Sequence, residues 1–413
     1  MNFTSFLYAP VIVGIIFYIT EKILKKSNLL SFVFLLLQIA FILNAHLMNI
    51  QNTALYFIIF AAFHRVSRTF NESKDEDDKQ AALIIFSLYM TLWFLFKYAP
   101  VFSKHIHLLG IVRGKVEGLI NGSLLVGLSY IGFKLIHYYI DCAHGKIKKP
   151  HLFEFLSWLF FFPSIIAGPI QRFQDWQKQR SSSRHMGDDI QEGAKRIIEG
   201  LFKKFVIANS IYNMSLAALN NNDLQMMGKG QFLFSIIVYA VYIYMDFAGY
   251  SDIAIGLGRF WGVTLPENFN YPYFTRNIQE FWKSWHMTLS NWLKDYIFFP
   301  FGTFIMRKSL VRRFTILGII IPPIVTFTIA GIWHGATAGF LLWGILHGIG
   351  LACVALLGRK INWEQNRYLA WWKNSRGGYI LSVCLNLSYI FFAWIPFALS
   401  DEKLKILLKR ILH

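Results

Sequence analysis

The chain has 413 residues, of which 55% are hydrophobic, 17% aromatic and only 15% charged, against about a quarter charged in a typical soluble domain. The formal net charge of +18 comes largely from Lys and Arg in short loops between apolar runs, for example at residues 21–26, 146–149 and 307–313. That arrangement is typical of cytoplasmic loops of membrane proteins and argues against a nucleic-acid-binding surface. The composition predicts a multi-pass protein in contact with membrane lipid.

Apolar runs long enough to cross a bilayer occur along the whole chain. They lie at residues 3–20, 29–48, 81–101, 118–140, 152–170, 231–250, 316–333, 338–357 and 379–399. The run at 54–63 is too short to cross alone, and the run at 196–219 carries lysines among its apolar residues. We expect a single all-α membrane domain over residues 1–413, with about ten to eleven helices, some short or re-entrant.

Two of these runs contain residues that interrupt helices. Residues 161–172 include Pro163, Gly168 and Pro169, and residues 316–333 include Pro322 and Pro323. Irregular backbone at membrane depth survives only inside protein or beside a water-filled cavity. The pattern therefore predicts an enclosed cavity or tunnel, which an enzyme and a transporter would share.

Residues 280–302, EFWKSWHMTLSNWLKDYIFFPFG, are too polar to span a membrane unaided and too aromatic for a solvated helix. Their apolar residues recur at helical spacing and form one stripe: Phe281, Trp282, Trp285, Leu289, Leu293 and Tyr296. The spacing predicts one helix that lies at the membrane surface or in a membrane-embedded core. His286 falls on the tryptophan side of that helix, where it is either an interfacial anchor or part of an active site.

His334, in AGIWHG, directly follows an apolar run. A titratable residue at membrane depth is costly to hold there, which favours a function, although a neutral imidazole bonded to a backbone carbonyl or capping a helix end would also fit. His347, in WGILHG, is better explained as a packing or tunnel-lining residue. Asp246 could orient a histidine or pair with a buried lysine, but an N-cap or a structural pair is the favoured explanation. Asp295 could be a surface acid, or a partner for Arg172 or for a nearby backbone amide.

Other kinds of site have little support in the sequence. The three cysteines, Cys142, Cys353 and Cys384, lack metal-type spacing and are best explained as small buried hydrophobes, so no metal is expected. There is no G-x-S-x-G, H-E-x-x-H or C-x-x-C motif. The expected chemistry is what one or two imidazoles can do, namely general-base activation of a hydroxyl.

The chain resembles the membrane-bound O-acyltransferases, specifically the bacterial branch of alginate O-acetylation proteins, peptidoglycan O-acetyltransferases and teichoic acid D-alanyl transfer proteins. The segments that carry the resemblance lie between residues 124 and 348. They are LLVGLSYIGFKLIHYYIDCAHGKI (124–147), FFPSIIAGPIQRF (161–173), GLFKKFVIAN (200–209), the stretch from DFAGYSD to WLKDY (246–296), and GIWHGATAGFLLWGILHG (331–348).

The resemblance implies a funnel or tunnel through the membrane with His334 as the catalytic base near its narrowest point. It implies that His286, in the W-H-x-[ST]-L-S motif, assists by orienting the acceptor or sharing the proton. The positions that it marks as lining the substrate path or supporting the site are Trp282, Trp285, Ser290, Asp295, Asp246 and Trp333. No bound cofactor is expected.

The resemblance also implies the substrates and partners. The donor would be an acyl thioester on the cytoplasmic side, either acetyl-CoA or the phosphopantetheine arm of an acyl carrier protein. The acceptor would be a surface polymer or an extracytoplasmic SGNH-type transferase. The protein would lie in the bacterial cytoplasmic (inner) membrane. Residues 293–302, LKDYIFFPFG, resemble the acetylation proteins, while residues 303–313 depart from their pattern and the chain length is closer to the D-alanyl type. Acetylation of a cell-surface glycan is favoured. An acyl-group transporter or channel is the alternative of another class.

Overall fold

The structure is a computed structural model that describes residues 11, 14–15, 33–40, 50–72, 75–103, 127–147, 151–181, 186–360, 372 and 374–412. These residues form helices joined by turns and loops, with no β-strand among them. The predicted all-helical class is thus confirmed for the described part of the chain. Its residues pack as two compact units, Met1–Glu199 with Ser251–Pro266, and Gly200–Tyr250 with Glu267–His413. The single domain expected from the sequence stays a prediction.

In chain order, the helices include α1 (Ile50–Glu72), α2 (Glu76–Ser103), α3 (Leu128–Ala143), α4 (Leu152–Leu159), α5 (Phe162–Ile165), α6 (Phe173–Ser181) and α7 (Met186–Leu201). Then follow a π-helical segment (Phe202–Ala208), α8 (Asn209–Tyr212), α9 (Asn221–Met226) and the long α10 (Lys229–Phe260).

The rest of the chain begins with a 3-10 turn (Pro272–Phe274), α11 (Ile278–Ser284) and α12 (Met287–Leu293). A second π-helical segment (Lys294–Phe298) leads into α13 (Phe299–Met306) and α14 (Ser309–Arg313). The last helices are α15 (Leu317–His334), α16 (Ala338–Lys360), α17 (Arg376–Ala398) and α18 (Asp401–Leu412).

The first unit is built around buried aromatic rings. Phe34 lies against Trp176 and Trp261, with ring centroids 5.8 and 5.2 Å apart. Lys134 is buried among these helices, and its ammonium donates to the Trp158 carbonyl oxygen at 2.9 Å and to Ser164 Oγ at 3.3 Å. A buried ammonium needs such acceptors because desolvating a charge is costly.

Within the described residues, four helices are long and apolar enough to cross a membrane: Lys229–Phe260, Leu317–His334, Ala338–Arg359 and Arg376–Ala398. They coincide with four of the predicted runs. Large apolar side chains on them are exposed, as expected of a lipid-facing surface, among them Leu233, Phe234, Leu342, Ile380 and Leu385. The predicted runs at 3–20, 29–48 and the first part of 118–140 lie mostly outside the described residues.

One proline-containing segment agrees with its prediction and the other differs from it. The run at 152–170 is interrupted as predicted, since α4 ends at Leu159, the short α5 follows, and irregular, mostly buried backbone continues to Arg172. Conversely, α15 passes through Pro322 and Pro323 without a break. Membrane helices tolerate proline where neighbouring groups satisfy the freed carbonyls.

The predicted single helix over residues 280–302 is wrong. The segment is divided into α11, α12, the second π-helical segment and α13, with the first break at Trp285 and His286. The predicted faces nevertheless hold: Phe281, Trp282 and Trp285 are buried, while Lys283 and Asn291 are exposed. A stripe of buried residues survives a break when both halves pack on the same core.

Helices α15 and α16 approach each other closely through glycines. A Cβ atom on Gly344 would overlap the Phe327 carbonyl oxygen, and one on Gly331 would overlap the Phe340 carbonyl oxygen. Gly348, one turn after Gly344, would meet Ile324 in the same way. Small residues four apart let membrane helices pack backbone to backbone, so these glycines set the separation of the two helices.

We expect Gly344→Val to destabilise the protein by about 3 kcal/mol, at the upper end of overpacking costs, because the clash is with backbone that cannot rotate away. The matched control is Gly358→Val in the same helix, where a Cβ would meet nothing within 4 Å. Thermal unfolding and the monodisperse yield of both variants in detergent provide the measurement. Equal loss in the two variants would contradict the close-packing argument.

Candidate active site

The break between α11 and α12 is the first feature of the site. The backbone at Trp285 is extended, and His286 adopts the left-handed conformation with φ 40° and ψ 51° before α12 begins at Met287. A non-glycine residue in that conformation costs about 1–3 kcal/mol and persists only where its surroundings impose it. Such strained residues cluster at functional sites.

Asn268, in the loop after α10, holds this break in place. Its backbone carbonyl oxygen accepts from the Met287 N–H at 2.8 Å. Its side-chain Oδ1 accepts from Thr288 Oγ1 at 2.8 Å and from the Thr288 N–H at 3.4 Å, so the oxygen of the amide faces α12. The loop thus supplies acceptors for the first turn of α12, whose N–H groups have no partner within the helix.

The same Asn268 oxygen lies 2.9 Å from His286 Nδ1. Because a carbonyl oxygen can only accept, Nδ1 carries the proton, and Nε2 of the neutral ring keeps its lone pair. The imidazole is 3% exposed and meets the Phe247 ring edge to face at 4.6 Å. His286 is therefore a buried, oriented imidazole whose Nε2 can only accept.

Burial lowers the pKa of His286 well below its ordinary value of 6.5, and the nearby His334 lowers this pKa further because two positive imidazoles repel. His286 is therefore neutral around pH 7. The electrostatic interaction also shows that the two predicted histidines lie near each other.

His334 is the last residue of α15, and extended Gly335 ends the helix. Its half-buried ring is enclosed by aromatic rings, with centroid separations of 4.6 Å to Trp333, 5.0 Å to Trp343 and 4.9 Å to Phe397. Beyond the turn, the Asp401 carboxylate accepts from the backbone N–H groups of the first two residues of α16, at 3.3 and 3.1 Å. That cap fixes the start of α16 next to His334.

The predicted tryptophans form a wall beside the histidines. Trp282 is 5.8 Å from Trp343 between ring centroids, and Trp285 is 5.1 Å from Trp394. Trp282 Nε1 donates to His347 Nδ1 at 3.1 Å, so His347 joins this cluster from α16. Tryptophan packing therefore holds α11, α16 and α17 around one aromatic core.

The remaining predicted residues are distributed differently. Ser290 Oγ donates to the Trp285 carbonyl oxygen at 3.1 Å and so supports the break. Asp246 forms an ion pair with Lys204, and both side chains are half-buried, whereas the sequence suggested a buried lysine. Asp295 is exposed on the second π-helical segment, the surface position considered for it. The catalytic and supporting roles of all these residues stay predictions.

Two residues that matter for the site were missed or undervalued in the sequence. Asn268 lies in a loop, where no periodicity marks it. Its role depends on contacts with His286 and Thr288, which follow much later in the chain. His347 was assigned to packing because neither its burial nor its bond to Trp282 can be seen in one helix alone. The available signals were an imidazole within an apolar helix, for His347, and a polar loop between two apolar helices, for Asn268.

A cavity of about 710 Å³ lies elsewhere in the second unit, between α16, α17 and the start of α11. Its walls include Ile278, Cys353, Leu357 and Leu385, with Arg276 and Asn386 as polar groups, and neither His286 nor His334 lines it. Among the described residues, no group of three or more His, Cys, Asp or Glu side chains is placed to hold a metal ion.

Comparison with known proteins identifies the family. The model of the membrane-bound O-acyltransferase family matches residues 27–392. The chain belongs to this family. The match extends well beyond residues 124–348, on which the resemblance rests, and confirms it. The family is one of membrane proteins, in agreement with the apolar helices α10, α15, α16 and α17.

Several family members are similar to this chain. It is 37% identical over 238 residues to "Probable alginate O-acetylase AlgI" of Pseudomonas aeruginosa, covering 57% of this chain and 43% of that protein. It is 31% identical over 313 residues to "Teichoic acid D-alanyltransferase" of Streptococcus thermophilus, covering 71% of this chain and 75% of that protein. It is 35% identical over 252 residues to "Peptidoglycan O-acetyltransferase" of Helicobacter pylori, covering 59% of this chain and 44% of that protein. The matched region spans less than half the length of the alginate relative.

Proposed function

We propose that this chain is a membrane O-acyltransferase that moves an acyl group from a cytoplasmic thioester to a hydroxyl of a cell-surface polysaccharide or of an intermediate acceptor. The observation that carries the proposal is a pair of imidazoles in a protein of an acyltransferase family: His286 is buried and oriented by Asn268, and His334 is enclosed by the Trp343 and Phe397 rings. One of them is oriented by Asn268 so that its Nε2 can accept a proton or a hydrogen bond.

In the proposed reaction, His334 accepts the proton of the acceptor hydroxyl as its oxygen attacks the thioester carbonyl carbon. A carbon–oxygen bond forms, and the tetrahedral intermediate collapses with cleavage of the carbon–sulfur bond. The departing thiolate receives the proton that His334 had taken. His286 assists through Nε2, either by sharing that proton or by accepting a hydrogen bond from another hydroxyl of the acceptor, and so aligns the attacking oxygen with the carbonyl carbon.

The proposed path runs through the membrane. The donor reaches His334 from the cytoplasmic side, and the acceptor reaches it from outside, along a funnel or tunnel through the protein. About ten to eleven helices would surround this path, as the apolar runs of the sequence suggest. The four long apolar helices and the aromatic wall around His334 support this arrangement. The basic loops favour the cytoplasmic membrane of a bacterium, with those loops inside.

Acetyl is the acyl group that we favour, with acetyl-CoA as the donor and an extracytoplasmic SGNH-type transferase or a surface polymer as the acceptor. The relatives named for O-acetylation support it. D-alanyl transfer from a carrier protein to teichoic acid is the second candidate, because the D-alanyltransferase match covers 75% of that relative. Neither route uses a resident cofactor.

The test is a strain that lacks this chain and is complemented with the full-length protein. We expect deletion to remove ester-linked acyl groups from the isolated envelope polymers and complementation to restore them. Mild alkaline hydrolysis followed by chromatography measures the released acid and separates acetate from D-alanine. Unchanged ester content after deletion would overturn the proposal, and release of D-alanine would select the second candidate.

A further inference from the structure

His347 has a hydrogen-bonding state that its surroundings dictate. Its ring is fully buried, and its Nδ1 lies 3.1 Å from Trp282 Nε1. An indole N–H can only donate, so Nδ1 must hold a lone pair and the neutral ring carries its proton on Nε2. His347 is therefore a hydrogen-bond donor at Nε2.

That donor has no acceptor within the part of the chain that the structure describes. The same holds for Nε1–H of Trp343, one helical turn earlier on α16, whose side chain is 1% exposed. The two rings have centroids 5.0 Å apart. Buried polar groups are nearly always hydrogen-bonded, so two neighbouring buried donors without acceptors indicate that an acceptor comes from elsewhere.

The position of these donors suggests which acceptor it is. The Trp343 ring stands perpendicular to the His334 ring at a centroid distance of 5.0 Å, so one donor adjoins the proposed base, and His347 packs against that donor. Phe327 packs against both donor rings, at 6.2 Å from His347 and 6.5 Å from Trp343, which keeps their surroundings apolar. A hydrogen bond in such surroundings is stronger than in water.

We propose that Nε2–H of His347 and Nε1–H of Trp343 donate to the carbonyl oxygen of the acyl group under transfer. When the hydroxyl oxygen bonds to the carbonyl carbon, the electron pair of the C=O bond moves onto this oxygen, and the two donors stabilise the charge. The pair returns when the carbon–sulfur bond breaks and the thiolate leaves. This assignment rests on the proposed acyl transfer and makes His347 a catalytic residue.

Two substitutions separate this role from a structural one. His347→Asn keeps an acceptor near the position of Nδ1 for Trp282 and removes the Nε2 donor. His347→Gln places an amide donor near the position of Nε2 and loses the acceptor for Trp282. Trp343→Phe is a second variant that removes only an N–H and leaves an aromatic ring. Each is tested in the complemented deletion strain by the initial rate of envelope ester formation per amount of chain.

We expect His347→Asn and Trp343→Phe each to lower the rate about a hundredfold, the usual effect of losing one oxyanion donor, and His347→Gln to stay within about tenfold of the parent chain. Thermal unfolding of the purified variants shows which of them are folded. The assignment would be overturned, in favour of a packing role or a bound water, if His347→Asn were as fast as His347→Gln or faster. If the parent chain forms no ester, the proposed function itself fails; if only His334→Ala loses activity, this inference alone fails.

Discussion

We expect His334→Ala to lower the rate of envelope acylation by about 10²–10⁴-fold, the contribution usual for a positioned general base. The change removes the only nitrogen base proposed to take the hydroxyl proton, while the Trp343 and Phe397 rings around it remain. The measurement is the initial rate of ester formation in the complemented strain, normalised to the amount of chain in the membrane.

A similar-sized polar replacement, His334→Gln, is expected to lose as much activity as alanine because an amide nitrogen is not a base. His144→Ala is the matched control, since His144 is exposed in the first unit and its Nδ1 lies 2.7 Å from the carbonyl oxygen of Ile140 in the preceding helical turn. Retained acylation in His334→Gln would favour a transporter or channel, which needs only a polar side chain of that size.

We expect Asn268→Leu to lower acylation by about a hundredfold, the cost of a small misplacement in an active site. The leucine removes the acceptor of His286 Nδ1 at 2.9 Å and of Thr288 Oγ1 at 2.8 Å. The imidazole then loses the bond that fixes its tautomer and its orientation. The initial rate in the complemented strain measures the effect.

Asn268→Asp is the informative comparison because it keeps an acceptor oxygen. We expect its acylation rate to be at least tenfold higher than that of Asn268→Leu. Its negative charge would also raise the pKa of His286 from its lowered value, so the pH profile of the Asp variant should shift upward. Asn291→Leu, at an exposed position on α12, is the matched control. If both variants are folded and Asn268→Asp loses as much activity as Asn268→Leu, the acceptor role of Asn268 is contradicted.

The comparison of prediction and structure is clearest for residues 280–302. The buried face was predictable, because apolar and aromatic side chains must be kept from water whatever the backbone does. The break at His286 was not, because it depends on Asn268, a residue from a preceding loop. A periodicity argument treats a segment by itself, and no local signal in WHMTLS specifies a left-handed histidine.

The opposite error occurred at Pro322 and Pro323, where a local rule predicted an interruption and α15 continued. Local propensity is a weak prior when the helix is packed by its neighbours, and close contact with α16 through Gly331 and Gly344 supports α15 along its length. Both errors arise because tertiary contacts outweigh local preferences.

Sequence alone was sufficient for the membrane class, the helical class and the family, because these depend on composition, run length and the identity of residues in motifs, and it offered the two histidines as candidates. Only the tertiary structure could reveal that His286 is oriented by Asn268, that His334 lies among the Trp343 and Phe397 rings, and that His347 and Trp343 present buried donors, of which Trp343 lies beside the proposed base. Tautomers and hydrogen-bond partners are set by atoms from distant parts of the chain, which meet only after folding.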